Sequence, residues 1–287
     1  MWGIKVSRKR VIKITILIAI VIFLLFLARV VNQYPINKYQ EQFERDSRGI
    51  IVGMDRFYLE GSNDKAVILL HGLTDSPGNM EELAEFLNKK GYSVYVPLLP
   101  GHATKVQELN KKKYSDWYRE AANTLEDVDE EKVYVVGHSL GGLLALDLAS
   151  RNNISGIITI NAPIKLKNRY TPFIPFVKII EDYQIKSDEH IKKLTEHGFS
   201  VPYNAVPLNS VSELLNGIEK LRLESIDEPA LIIQGIDDDV VDRDSALVIY
   251  DGVNSTNKDL TFLEDATHEI INKEEGYNKI LNFISSY

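Results

Sequence analysis

From about residue 65 onward, short apolar runs alternate with stretches whose apolar residues recur every three or four positions. Residues 67–70, 94–96, 133–136, 157–160, 231–233 and 260–263 form the runs. A strand with one wet face would alternate apolar and polar residues, and these do not. They suit a parallel sheet covered on both faces. Residues 80–90, 114–125, 140–150, 245–251 and 274–283 lie between or after the runs and carry helical spacing. Strand and helix taken in turn predict an α/β domain with a mostly parallel central sheet.

The rhythm breaks between Ile160 and Leu231, where about 70 residues pass without a clear strand. Six of the ten prolines fall here (Pro163, Pro172, Pro175, Pro202, Pro207, Pro229), with Tyr170, Phe173, Phe176, Tyr183, Phe199 and Tyr203. So long a structureless loop is rare in a compact domain. The expectation is an inserted lid of short helices over about residues 165–225; an extra layer of the α/β domain is the alternative.

A different pattern occupies the N-terminus. Residues 14–28 are apolar except for Thr15, and Val30 and Val31 extend the run past Arg29. At about 1.5 Å per residue the stretch 14–31 spans roughly 27 Å as a helix, close to a bilayer's hydrocarbon core. Arg29 near its end can snorkel to the headgroups. Lys5, Arg8, Lys9, Arg10 and Lys13 precede the run, and such residues stay cytoplasmic, which sends the rest of the chain across the membrane. Residues 1–31 are therefore expected to form a basic head and transmembrane anchor, 32–54 a polar juxtamembrane linker, and 55–287 the α/β domain. A cleaved signal peptide, leaving a secreted chain, is the rival. Cleavage after Ala28 would put bulky Phe26 where a small residue is wanted.

Charge sharpens this division. Residues 1–40 hold seven basic residues and no acidic one; of 33 Lys+Arg that leaves 26 against 41 Asp+Glu, a body of net charge −15. An acidic body argues against a nucleic-acid partner, which needs a basic face. With no cysteine among the 287 residues, disulfides, thiolate metal sites and a cysteine nucleophile are excluded.

Residues 133–142 read strand, Gly137-His138-Ser139-Leu140-Gly141, then helix. A serine on so tight a turn needs small neighbours, and the turn exposes its hydroxyl above the sheet edge. The following helix points its free N–H groups toward developing negative charge. A serine hydroxyl needs a base. Of His71, His102, His138, His190, His197 and His268, only His268 follows both the serine and an acidic loop at a strand end, the chain order Ser, acid, His. The acid belongs after residues 231–235, where Asp237, Asp238, Asp239 and Asp242 stand. One of them would fix the imidazole tautomer; spacing leaves the choice open. The His71-Gly72-Leu73-Thr74 turn after the first buried strand can offer the Leu73 N–H, with that of Leu140, to an oxyanion. His71 itself reads as a turn-packing residue.

His71-Gly72, the loop Leu99-Pro100-Gly101-His102, Asp116-Trp117, the Gly137–Gly141 motif, the Asp238 loop and His268 occur in an order that resembles the α/β-hydrolases. Over residues 55–287 the chain looks most like their bacterial carboxylesterase and monoacylglycerol lipase branch, which is itself similar to the serine aminopeptidase-like hydrolases. Ala103 departs from the glycine that often follows Gly-His there. In that branch the acid precedes a paired aliphatic by two residues, which maps onto Asp238 before Val240-Val241. The resemblance implies a triad of Ser139, Asp238 and His268 that cleaves carboxylic esters of short or medium acyl chains, or monoacylglycerols, with no metal or organic cofactor. Its partners would be an ester or lipid substrate and, through the N-terminal helix, the membrane. A peptidase or amidase on the same triad and a non-catalytic lipid- or protein-binding module are the alternatives.

Overall fold

The computed structural model describes residues 8–178, 181–269 and 273–287; Lys5 of the basic head lies outside them. The strands of its central sheet are β1 (Phe57–Leu59), β2 (Lys65–Leu70), β3 (Ser93–Val96), β4 (Lys132–His138), β5 (Gly156–Ile160), β8 (Ala230–Gly235) and β9 (Lys258–Leu263). They run in the order β1-β3-β2-β4-β5-β8-β9. Every pairing is parallel except β1 with β3. The helices α2 (Glu81–Asn88), α4 (Tyr114–Glu126), α5 (Leu140–Ala149), α9 (Asp244–Gly252) and α10 (Lys273–Ser286) fill the gaps the periodicity marks.

The two-residue alternation of a strand divides the core. Ile68, Leu70, Val135 and Ile157 pack with residues of α4, α5 and α9 on one face. Val67, Leu69, Val136 and Ile158 pack with α2 and α10 on the other. Both faces are thus covered, as runs without polar alternation require. The run 260–263 is the exception. It lies in β9 at the sheet edge, where Phe262 is exposed while Thr261 and Leu263 are buried, so this run belongs to a strand wet on one side.

Between β5 and β8 the chain leaves the sheet. The insertion holds a hairpin of β6 (Tyr183–Ile185) and β7 (Ala205–Pro207), and the helices α6 (Ile174–Val177), α7 (Asp188–Glu196) and α8 (Leu208–Lys220). Strands of three residues carry no readable period, which is why the interval looks strandless in sequence. Tyr183 and Tyr203 are buried, whereas Tyr170, Phe173 and Phe176 are exposed.

At the N-terminus a single helix, α1 (Arg8–Gln40), includes the apolar run and is long and apolar enough to cross a membrane or serve as a signal sequence. It continues into the segment expected to be a linker. Ile36 is fully buried, and Gln40 Oε1 accepts the N–H of Val106 at 2.6 Å, where the short helix α3 (Val106–Leu109) begins. Tyr39 donates to Val201 O at 2.8 Å, and Arg29 reaches Lys178 O and Asp182 in the insertion. Ile51 and Met54 then bury against Ala103. The segment expected to be a juxtamembrane linker is packed structure here. Its few apolar residues are too widely spaced to show a period, and its polar residues are spent on contacts with distant segments.

Candidate active site

Parallel register brings the ends of β2 and β4 together, with Leu70 opposite Gly137, and the ends of β8 and β9, with Gly235 opposite Leu263. The loops that leave these four strands meet above one edge of the sheet.

Ser139 stands between β4 and α5 at φ 51°, a left-handed conformation costly for a residue with a side chain. Close packing enforces the turn. A Cβ on Gly137 would lie 2.0 Å from Gly141 O, and one on Gly141 would lie 1.9 Å from Leu70 O. The glycines thus let α5 start directly against β2. Leu140 is its first residue, so its N–H is among those with no partner inside the helix.

His268 Nε2 lies 2.9 Å from Ser139 Oγ, and Nδ1 lies 2.9 Å from Asp238 Oδ2. A carboxylate only accepts, so Nδ1 carries the proton and Nε2 is left to accept from the serine hydroxyl. Asp238 is buried, 1% exposed, while its neighbours Asp237 and Asp239 are exposed. Its Oδ1 accepts the N–H groups of Val240 and Val241 at 2.8 Å each, and Oδ2 also accepts from Gln234 Nε2 at 3.1 Å. Burial alone would raise the Asp238 pKa. The hydrogen bond and charge of His268, with the two N–H groups, outweigh burial and hold it below the usual carboxylate value. Burial likewise opposes charge on His268, but the Asp238 carboxylate prevails and raises the imidazole above its ordinary value.

Three supports escape sequence reasoning. His138 Nε2 donates to His268 O at 2.7 Å. Asn161 Nδ2 donates to the same oxygen and to Thr267 O, while its Oδ1 accepts the Gly235 N–H. Gln234 braces the acid through its bond to Oδ2. The His138 and Asn161 bonds tie the His268 loop to the ends of β4, β5 and β8. For His138 the only signal was its place inside the Gly-x-Ser motif. Thr74, Asn161 and Asp265 join Ser139 at positive φ, so backbone strain gathers around this edge.

The residues that carry the family resemblance support the neighbouring loop. His71 Nε2 accepts the Leu99 N–H at 3.1 Å and Nδ1 donates to Gly72 O at 3.0 Å. The His71 ring packs edge-on to His102, and Trp117 Nε1 donates to Pro100 O at 3.0 Å. His71 therefore holds the turn carrying Leu73. From the insertion, Lys186 Nζ donates to Thr74 Oγ1 at 3.0 Å. Burial lowers the Lys186 pKa, against the pull of Glu269 and Asp75.

A cavity of about 430 Å³ opens beside Ser139 and His268. Its walls include Leu73, Leu166, Ile174, Val206, Leu214 and Val241, so the insertion supplies much of its apolar lining. Asp239 and Glu269 stand among its few charged groups.

Sheet order, the strained serine turn and the loops that meet above the strand ends are those of an α/β-hydrolase. A family model described as serine aminopeptidase S33 matches residues 61–275. The chain belongs to that family and stands with its carboxylesterase and monoacylglycerol lipase-like members. It is 28% identical to a carboxylesterase of Bacillus subtilis (strain 168) over 215 residues, which is 72% of this chain and 85% of the relative. It is 29% identical to a thermostable monoacylglycerol lipase of Bacillus sp. (strain H-257) over 229 residues, 76% of this chain and 88% of the relative. Among solved structures, one from work on the metagenome-derived lipolytic enzymes LipS and LipT superposes with a TM-score of 0.72 at 28% identity, covering 83% of this chain and all of that one.

Proposed function

We propose that this protein is a membrane-anchored serine esterase that cleaves carboxylic esters of apolar acyl groups, monoacylglycerols among them, through an acyl-enzyme. The observation that carries the reading is the hydrogen-bonded chain Ser139–His268–Asp238 at the wall of a largely apolar cavity. Ser139 Oγ attacks the ester carbonyl as His268 Nε2 takes its proton, and Asp238 keeps the tautomer and stabilises the imidazolium. The N–H groups of Leu73 and Leu140 receive the oxyanion. His268 returns the proton to the departing alcohol, then activates a water that releases the acid. The insertion 165–225 acts as the lid, since it closes the cavity wall and touches the oxyanion loop through Lys186 and Thr74.

Residues 1–31 are the basic head and anchor, and the body lies on the extracytoplasmic side. The packing of Ile36, Tyr39 and Gln40 into the body, just past the apolar run, favours retention of the helix over its removal as a signal. Fluorophosphonate labelling followed by p-nitrophenyl esters of graded chain length tests the chemistry. Wild type should label and turn over esters. Ser139→Ala should lose both, with turnover falling by about four orders of magnitude or more because the triad acts as a unit. Ordinary ester turnover by a folded Ser139→Ala chain would refute the mechanism. Turnover of aminoacyl amides in preference to esters would move the enzyme to the peptidase side of its family.

A further inference from the structure

Thr74 stands on the oxyanion turn with a side chain that the triad and the two backbone donors leave unused. Its φ is 61°, a left-handed conformation that is an outlier for a β-branched residue. Glycine would sit there without strain. A strained conformation persists only where its surroundings over-determine it, and such positions gather at functional sites. Thr74 is buried, and its Oγ1 accepts from Lys186 Nζ at 3.0 Å. An ammonium has donors only, so the bond occupies a lone pair of the hydroxyl and leaves its hydrogen. Among the described residues no acceptor takes that hydrogen. A covered O–H without an acceptor is costly, and an oxygen brought in by the substrate would satisfy it.

The turn also lies where a carbonyl oxygen would become charged. It runs directly against the serine, since a Cβ on Gly72 would lie 3.4 Å from Ser139 Cβ. Leu73, Thr74, Ser139 and His268 share the walls of the 430 Å³ cavity and of a smaller one of about 40 Å³ beside it. Lys186 lines both and, among the described residues, is the one Lys or Arg in either wall. Its backbone is fixed, with its N–H donated to Asn204 O at 2.8 Å. Glu269 and Asp75 favour the charge that burial opposes.

We infer that the Thr74 hydroxyl is a third donor to the oxyanion, beside the N–H groups of Leu73 and Leu140, and that Lys186 holds and polarises it. The inference rests on the esterase reading and adds a side chain to that mechanism. As Ser139 Oγ adds to the ester carbonyl and His268 takes the serine proton, the C=O π pair becomes a lone pair on oxygen. Thr74 keeps its own proton throughout and contributes only the hydrogen bond. An ammonium bonded to the hydroxyl oxygen draws charge from it, so the O–H donates more strongly. The bond tightens as negative charge develops, which favours the transition state over the bound ester. Lys186 touches no reacting atom and is a positioning residue.

The test uses the full chain in detergent micelles, with p-nitrophenyl butyrate as substrate and an alkyl trifluoromethyl ketone, which adds reversibly to a serine and leaves an oxyanion, as inhibitor. Thr74→Val keeps the β-branched shape and removes the hydroxyl. Its kcat should fall about 100-fold with KM within about threefold, and its ketone affinity should fall in step with kcat/KM. Thr74→Ser should recover most of the loss. Lys186→Met should lower kcat about tenfold in the wild-type background and hardly at all beside Thr74→Val, because it acts through the hydroxyl. Thermal unfolding is read for every variant, and Thr74→Ala carries the same expectations should Thr74→Val not fold. A folded Thr74→Val chain with kcat within about threefold of wild type would overturn the inference. So would a loss confined to KM with ketone affinity unchanged, or a Lys186→Met effect of equal size in both backgrounds, which would make Lys186 a structural support only. Wild-type protein inert on the ester would refute the esterase reading itself, whereas an active wild type with undiminished Thr74→Val refutes the third donor alone.

Discussion

Asp237, Asp238 and Asp239 are one side chain in three environments. Only the second is buried, and its carboxylate is saturated by His268, Gln234 and two backbone N–H groups. An amide in its place keeps the shape but cannot hold the imidazole tautomer, so Asp238→Asn should lower kcat on the order of 10⁴-fold. Asp237→Asn and Asp239→Asn, both at exposed positions, should stay within about threefold of wild type. Thermal unfolding of each variant separates lost chemistry from lost fold. The same carboxylate raises the His268 pKa, and a general base works only when unprotonated. The acid limb of kcat/KM should therefore fall at a pH above the ordinary imidazole value near 6.5. Residual activity of Asp238→Asn should show that limb displaced to lower pH; a limb unmoved by the substitution would mean that another group sets it. At this scale, Ser139 and His268 were legible because local motif and chain order single them out, and the structure places His268 within hydrogen-bond reach of both Ser139 and Asp238. His138, Asn161 and Gln234 were not. Asn161 and His138 act on residues 107 and 130 positions away, and a bond across such a distance leaves no local pattern.

The buried strands and their helices were legible as elements because continuous burial removes polar residues in a recognisable period. The three-residue strands β1, β6 and β7 were not, being shorter than any period. Strand β9 was read as buried on both faces although it lies at the edge; its apolar Leu260 and Phe262 are only partly covered or exposed. Helix α1 shows the reverse error, since its apolar run was evident and its extension to Gln40 was hidden among polar residues with partners elsewhere. The asymmetry of α1 bears directly on orientation. Arg8, Lys9, Arg10 and Lys13 lie at its start, and such clusters resist transfer across the membrane. Protease added to intact cells, stripped of any wall, should digest the hydrolase body. Protection until lysis would reverse the orientation.

At the scale of the whole molecule, the end of α1 is built into the body. Deleting residues 1–31 should leave a stable body, because Ile36, Tyr39 and Gln40 remain. Deleting residues 1–40 removes a fully buried isoleucine and leaves the Val106 N–H without its acceptor, a loss of about 3 kcal/mol. For a domain of this size that corresponds to a fall in Tm on the order of 10 °C relative to the shorter deletion. Equal melting temperatures for the two fragments would show that the docked turn contributes nothing. The docked turn also has a history during synthesis. Its partners follow it by 66 positions at Val106 and by 169 at Asn204. The ribosome therefore delivers the first half of this interface long before the second. Throughout that interval the polar turn after the apolar run must wait in solvent, unsupported, for the chain that will enclose it. The join between α1 and the body can only be made late, when residue 204 has emerged, and in a nascent chain halted before that point the seam would still be open.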